Sequence, residues 1–299
     1  MKRYRTWGVL VAALSFLALA SPALAESRIE KNLELQPGGR FTLESDSGSV
    51  KVSGASRSGA HIVITSDKDD LNDELEFTFN NGAGWASVTA RRKHDSWWSH
   101  GISAHFEIEV PKDTRTEIHT GGGAISLFGL QGQSEVKTSG GPIEISGLNG
   151  NLEAYTSGGP IHIREVTGDA HLGTSGGPIE VERLDGTLKA HTSGGGIRIN
   201  RVSGYVEAKT SGGPIHAVYS RGNRRGGDFD TSGGSIEVSI DPSANLNLDA
   251  SSSGGSVTSD LPVRVVGTVS HSHLQGTIGS GGEALRLHTS GGSIRITAL

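Results

Sequence analysis

Thr138-Ser-Gly-Gly-Pro-Ile-Glu-Ile-Ser-Gly-Leu-Asn-Gly-Asn-Leu-Glu-Ala-Tyr155 is one turn of a repeat, and its period decides the fold. The same opening stands at Thr120, Thr138, Thr156, Thr174, Thr192 and Thr210, 18 residues apart each time. Thr231 and Ser252 follow at intervals of 21, and Thr289 comes 37 residues later. Equal intervals with matching content mark internal repetition, in which each unit buries its apolar face only against its neighbours. Five residues after each opening lies Ile125, Ile143, Ile161, Ile179, Ile197, Ile215, Ile236, Val257 or Ile294. Two further on lies Leu127, Ile145, Ile163, Val181 or Ile199. That alternation predicts a short strand with one buried face.

The next apolar column is Leu130, Leu148, Val166, Leu184 and Val202. Its odd offset of three flips the face of a straight strand, so the chain must bend there. A glycine column (Gly132, Gly150, Gly168, Gly186, Gly204, Gly222) reads as a turn with positive φ. A second strand then places Leu152, Ala154 and Thr156 on one face, and Ser-Gly-Gly-Pro makes the other corner. Asn149-Gly150 and Asp185-Gly186 also suit hairpin turns. The fixed interval and the phase break favour a solenoid, with equivalent columns stacked about 4.8 Å apart. The expected fold is therefore all-β, a single parallel β-helix or β-solenoid, and nine openings give a rod of roughly 40 Å.

Working outward, residues 26–115 read as irregular coils of the same kind, with room for a cap, continuous with the regular repeats of 116–299. Ser45-Asp-Ser-Gly-Ser-Val-Lys-Val52 matches the unit's opening, and His61–Ile64, Leu75–Phe79 and Ala104–Val110 alternate like strands. Residues 1–25 read as a secretory signal peptide: Lys2, Arg3 and Arg5, an apolar run from Gly8 to Ala20, then Ala23-Leu24-Ala25. That run is short for a membrane span, and no later run reaches spanning length. An exported protein of the periplasm or cell surface follows. Cleavage removes three basic residues and takes the formal charge from −5 to −8, which argues against nucleic acid as a partner. The chain has 45 glycines in 299 residues and no cysteine. This composition excludes disulfides, thiolate metal sites and lipidated cysteines, and disfavours helical cores.

These residues resemble the bacterial putative-adhesin family of short β-strand repeats, a domain of unknown function. The features that carry it are Ser47-Gly-Ser-Val-Lys-Val, Val110-Pro111, the serial Thr-Ser-Gly-Gly units and the closing Leu285-Arg-Leu-His-Thr-Ser-Gly-Gly-Ser-Ile-Arg-Ile296. The resemblance covers nearly all of the chain after residue 25. It implies an exported or envelope-associated β-solenoid without catalytic residues. Family members often carry Val-Ser-Gly-Asp where this chain has Ser-Gly-Gly-Pro, which argues against an acidic, metal-binding turn.

Several outward residues invite chemistry. One column reads Ser126, Glu144, His162, Glu180, Arg198, His216, Glu237; another reads Glu135, Glu153, His171, Lys189, Glu207. Alternating signs on stacked strands suit cross-strand pairing. They form either a solvated face or a flat surface for a glycan or protein partner. Glu144 and Glu180 fall two coils apart, near 10 Å, within reach for glycoside hydrolysis but on a flat face. His162 and His216 lie three coils apart, too far for one metal ion, and His94, His100 and His105 lack ligand spacing. No metal or cofactor is expected. Trp97 and Trp98, beside Arg91, Arg92 and Lys93, could stack on sugars or simply fold over the solenoid. Arg221, Arg224 and Arg225 interrupt the columns where the period changes and could hold an anion. The Ser-Gly-Gly segments are turns, not nucleophile elbows.

The leading functional expectation is an exported, non-catalytic interaction module of the envelope or cell surface. The alternatives are an envelope-stress or structural scaffold, or a polysaccharide-active β-helix enzyme with loops at 91–101 and 259–288 building a cleft. The scaffold reading predicts head-to-tail stacking through an unpaired edge at the last strand, around Ile294.

Overall fold

A computed structural model describes residues 27–66, 71–93, 104–265 and 270–299. Residues 1–25, which read as a signal peptide, lie outside the described residues. The described chain is a solenoid of two sheets of 14 strands each. Each regular unit gives its first strand to one sheet, here called the isoleucine sheet, and its second to the other, the threonine sheet. Ile143–Asn149 lies parallel to Ile161–Thr167, with Ile143 opposite Ile161 and Ile145 opposite Ile163. Leu152–Thr156 lies parallel to Ala170–Thr174 in the same 18-residue register. Hairpins between successive units are excluded by these pairings.

The core is the stack of inward columns. Ile125, Ile143, Ile161, Ile179, Ile197, Ile215, Ile236 and Ile294 are all buried, facing Leu152, Ala154 and their equivalents from the other sheet. The register slips between Ile145 and Leu148. That slip is the required bend, and it returns Leu148 to the interior. Part of the glycine turn column behaves as expected, with Gly168 at φ 130°. Gly132 and Gly204 do not have positive φ. They are glycine because a Cβ there would lie 2.3 Å from the carbonyl oxygen of Thr114 and 2.2 Å from that of Gly186. Tight stacking, not backbone handedness, accounts for them.

The period lengthens to 21 where Ser220–Gly226 loops out, yet Thr210 still pairs with Thr231. Tyr219 and Phe229 meet edge to face at 6.4 Å beneath that loop.

Both ends depart from chain order. In the isoleucine sheet, the final strand Ile294–Ala298 runs between Ile236–Ile240 and Val257–Ser259, parallel to both. In the threonine sheet, Glu283–Thr289 likewise lies between Gly227–Thr231 and Leu246–Ser252. The 37-residue interval is therefore an excursion: the chain builds the outermost coil first, turns through antiparallel strands, and returns to an inner slot. The expected open edge at Ile294 is corrected accordingly. Ile294 is fully buried and paired on both sides, and the exposed edges belong to the three-residue strands Val257–Ser259 and Val263–Val265. The other end mirrors this. Arg40–Ser45 and Ser49–Ala55 join the regular stack directly. Trp85–Arg92 and Ala104–Pro111 lie outside them, and antiparallel strands Ser27–Leu33, Ala60–Ser66 and Leu75–Gly82 close the end.

Candidate functional site

The corner threonines fix how the outer faces are presented. Each Thr-Ser-Gly-Gly threonine points inward, where an unpaired hydroxyl would cost free energy. The Thr156 Oγ1 donates to the Gly141 carbonyl of the preceding coil at 3.0 Å and accepts from the Gly159 N–H at 3.2 Å. Thr174 repeats this with Gly159 and Gly177, and Thr192 with Gly177 and Gly195. The second glycine of each motif packs against the coil before it: a Cβ on Gly177 would stand 2.1 Å from the Gly159 carbonyl oxygen. This ladder keeps successive strands in register, so outward side chains form straight rows.

A groove with an exposed aromatic lies on the outer face of the threonine sheet. Its outer row reads Lys137, Tyr155, Gly173, His191, Lys209 across five successive strands. Beside it runs Glu135, Glu153, His171, Lys189, Glu207. Gly173 leaves a gap in the first row, and a groove of about 630 Å³ opens there, lined by Lys137, Tyr155, His171, Lys189, His191 and Lys209 among others. The Tyr155 ring lies against Gly173, where a Cβ would meet its Cδ1 at 2.6 Å. Tyr155 keeps 38% of its surface exposed, and the Lys137 ammonium stands 6.0 Å from the ring centroid. Burial, and then the charge of Glu153, raises the phenol's pKa, so it remains a neutral donor.

Lys137 and Lys209, at the ends of the row, are held by acids. Lys137 hydrogen-bonds Glu135, which lowers the carboxyl's pKa and raises the ammonium's. Lys209 bonds Glu207 at 2.7 Å with the same two effects. Among the described residues, His171, Lys189 and His191 in the middle make no hydrogen bond or close ion pair, although Lys189 and His171 both act on the Glu207 carboxyl and help to lower its pKa. The sequence reading included His171, Lys189 and the acid column but overlooked the row beside it. The signal was an aromatic followed, one repeat later, by glycine at the same outward position.

On the isoleucine sheet, Glu144, His162, Glu180 and Arg198 occupy successive strands and share a shallow groove of about 260 Å³. The carboxylates are occupied: His162 Nδ1 stands 3.3 Å from Glu180, and Arg164 stands 3.6 Å from Glu144. His216, one strand beyond Arg198, faces Glu237 at 3.2 Å instead. Among the described residues no group of three or more potential ligands could hold a metal ion. Trp97 and Trp98, with His94 and His100, lie outside the described residues.

The arginine loop is pinned by its own chain. The buried Asn223 side chain donates to the carbonyls of Val202 and Gly204. The Gly222 N–H donates to Asp241 at 2.9 Å. Hydrogen bonds from Ser243 and Gly222 pull the Asp241 carboxyl down to a pKa of about 2, aided by the nearby Arg221 charge. Arg225 pairs with Glu283 at 2.9 Å. Thus Arg221 lies near Asp241 and Arg225 pairs with Glu283, while Arg224 is exposed on the same loop.

Stacked 18-residue units, inward isoleucine and threonine ladders and polar outer rows define a parallel β-solenoid with open, groove-bearing faces. The chain belongs to the Toastrack DUF4097 family, whose model matches residues 39–297. The resemblance carried by the Thr-Ser-Gly-Gly units and Leu285–Ile296 is thereby shown. No curated protein matches the chain. Solved structures similar to it include a "putative adhesin" from Bacteroides fragilis, 12% identical, covering 90% of this chain and 97% of that one at a TM-score of 0.43. A "putative lipid binding protein" from Parabacteroides distasonis is also 12% identical, covering 91% and 96% at a TM-score of 0.45. A "putative cell adhesion protein" from Clostridium sporogenes is 11% identical, covering 91% and 100% at a TM-score of 0.23.

Proposed function

We propose that this protein is an exported, non-catalytic interaction module of the cell envelope or cell surface. The observation that carries the reading is the groove over Gly173, where Tyr155 lies exposed beside His171, Lys189 and His191, three polar side chains that make no hydrogen bond or close ion pair among the described residues. An aromatic ring and unpaired cations on a rigid sheet suit recognition of a partner. Glu144 and Glu180, the strongest acid–base pair in the sequence, support binding rather than turnover. They line a small groove, and each carboxylate already has a neighbour on its own sheet, Arg164 beside Glu144 and His162 beside Glu180. The N-terminal Lys2–Ala25 pattern supports export.

The test is capture of whole cells and of isolated envelope polymers by the chain lacking residues 1–25. Saturable binding to either supports the reading. Absence of any binding, with a gene deletion that leaves cell adhesion unchanged, rejects it.

A further inference from the structure

We infer that the groove over Gly173 on the threonine sheet binds an anionic polysaccharide laid along the stack, one sugar face on Tyr155 and its acid groups met by Lys189, His171 and His191. This rests on the interaction-module reading above and names the ligand class.

Three observations carry it. The first is shape. Lys137, Tyr155, Gly173, His191 and Lys209 occupy consecutive rungs, so the row is roughly 19 Å long at about 4.8 Å per strand. A linear polymer crossing the strands meets a new rung at each step, whereas a compact ligand would touch one or two. Gly173 carries no side chain, which makes room for the edge of the Tyr155 ring and for the recess that both line.

The second is the aromatic surface. The Cδ1–Cε1 edge of the Tyr155 ring reaches the space over Gly173, and the residue keeps 38% of its surface exposed. The electron-rich face of such a ring attracts the polarised C–H bonds on the apolar side of a sugar ring, while the phenol hydroxyl remains free to hydrogen-bond.

The third is charge. The whole chain carries a formal −5, yet the groove lining holds three lysines against one glutamate. The groove on the isoleucine sheet has the opposite balance, three glutamates against two arginines. Over the two rows the three lysines are matched by Glu135, Glu153 and Glu207, but the two middle rungs carry Lys189, His171 and His191 and no acid, so an anion is directed to them. Lys137 and Lys209 are already bonded to Glu135 and Glu207. Lys189 stands opposite Glu207 and acts on it through its charge but makes no hydrogen bond, so its three donors remain open to an acceptor.

A lipid surface fits less well. A bilayer is broad and meets protruding groups, while the lysines here flank a recess that Tyr155 shares. Membrane binding is therefore an outcome of the test.

The experiment is affinity electrophoresis of the chain lacking residues 1–25 in gels containing polygalacturonate, dextran sulfate or neutral dextran, with flotation on phosphatidylglycerol vesicles in parallel. Retardation by at least one acidic polymer, none by dextran, and an affinity loss of about tenfold or more in Tyr155→Ala and in Lys189→Glu are expected. Arg198→Glu, on the other sheet, leaves binding unchanged. Both groove changes are on the outer surface, and thermal unfolding confirms that each variant is folded. Lys189→Gln gives an intermediate loss and guards against an effect of the introduced negative charge alone. Equal retardation by dextran overturns the inference. So does acidic-polymer binding that survives both groove variants, or vesicle binding without polymer binding. Capture of cells without binding to either acidic polymer overturns the ligand class and leaves the interaction module standing; loss of both overturns the two together.

Discussion

Replacing Thr174 by valine isolates the hydroxyl ladder, because valine keeps the branched shape and nearly the volume of threonine. Thr174 lies mid-stack, on a strand flanked by Leu152–Thr156 and Leu188–Thr192. Its Oγ1 donates to the Gly159 carbonyl at 3.0 Å and accepts from the Gly177 N–H at 3.3 Å. Both glycines are buried. Valine therefore strands one acceptor and one donor away from water. Each such group costs about 1–3 kcal/mol, so the expected loss is about 2–4 kcal/mol. Serine keeps the hydroxyl and loses one methyl group, which costs about 1 kcal/mol. The predicted order is threonine, then serine, then valine. Strand propensity and apolar burial alone predict valine as the best of the three. Repeat arrays depart from two-state unfolding, so urea melting should be joined by hydrogen exchange read at the Gly177 amide. Loss of protection at that amide in the valine variant, kept in the serine variant, is the expected signature. A valine variant as stable as threonine, with serine below both, would refute the ladder's role.

The two glycines of the same corner should separate cleanly. Gly177→Ala drives a Cβ to 2.1 Å from the Gly159 carbonyl oxygen and should destabilise by about 3 kcal/mol. Gly176→Ala meets nothing nearer than 3.5 Å and should stay within about 0.5 kcal/mol in urea melts. Asp241 has a folded-state pKa of about 2 against an ordinary 3.8, so its contribution is present above pH 3.8 and is lost as pH falls towards 2. Thermal melts of Asp241→Asn should therefore show a shallower fall in stability than the parent over that window. Deleting residues 283–299 empties an interior slot; hydrogen exchange should show protection lost on both its walls, 227–240 and 246–259, while 134–192 remains protected. Arg225→Ala breaks an exposed ion pair with Glu283 and should change stability by less than about 1 kcal/mol.

The regular stack was legible because its constraint is one-dimensional and repeats. Each unit must bury Ile143 and Ile145 or their equivalents, then Leu148, Leu152 and Ala154, and only parallel stacking at a constant 18 does so for every unit. Even the slip after Ile145 was visible as an odd offset. The glycine column was legible as a turn but misread in cause at Gly132 and Gly204, since sequence shows the absence of a side chain and not whether backbone angle or neighbour requires it. The candidate groove was half legible. His171 and Lys189 stood in an outward column, but the groove is a feature of two adjacent rows. It appears only once Tyr155, Gly173 and His191 are placed side by side, 18 residues apart. The isoleucine-sheet column gathered Glu144, His162, Glu180 and Arg198 as its spacing implied. That the carboxylates are spoken for, with Arg164 on Glu144 and His162 on Glu180, depends on side-chain rotamers that no column records.

The ends were illegible for a different reason, and the reason bears on the fold's economy. A solenoid repeats its contacts in the middle but must stop somewhere, and each stop leaves a row of unpaired backbone groups that invites another strand. A chain that simply ended on its last coil would expose a long parallel edge there. Here the last coil is laid inside the one that precedes it in sequence, so Ile294 and Leu285 bury against neighbours on both sides. The edges left outside shrink to Val257–Ser259 and Val263–Val265, three residues each. Trp85–Arg92 and Ala104–Pro111 play the same part at the other end, lodged between residues 40–55 and the antiparallel strands beyond. The jump in interval from 18 to 37 was the trace of this in the sequence, but an interval counts residues and does not say in which direction the chain returns. An inserted coil also couples residues far apart in the chain, since Ile236–Ile240 can be covered only after residues 246–282 have gone out and come back. Docking of the last strand should therefore come late in folding, and it is the step that a deletion of 283–299 removes while leaving the Gly173 groove, several rungs away, in place.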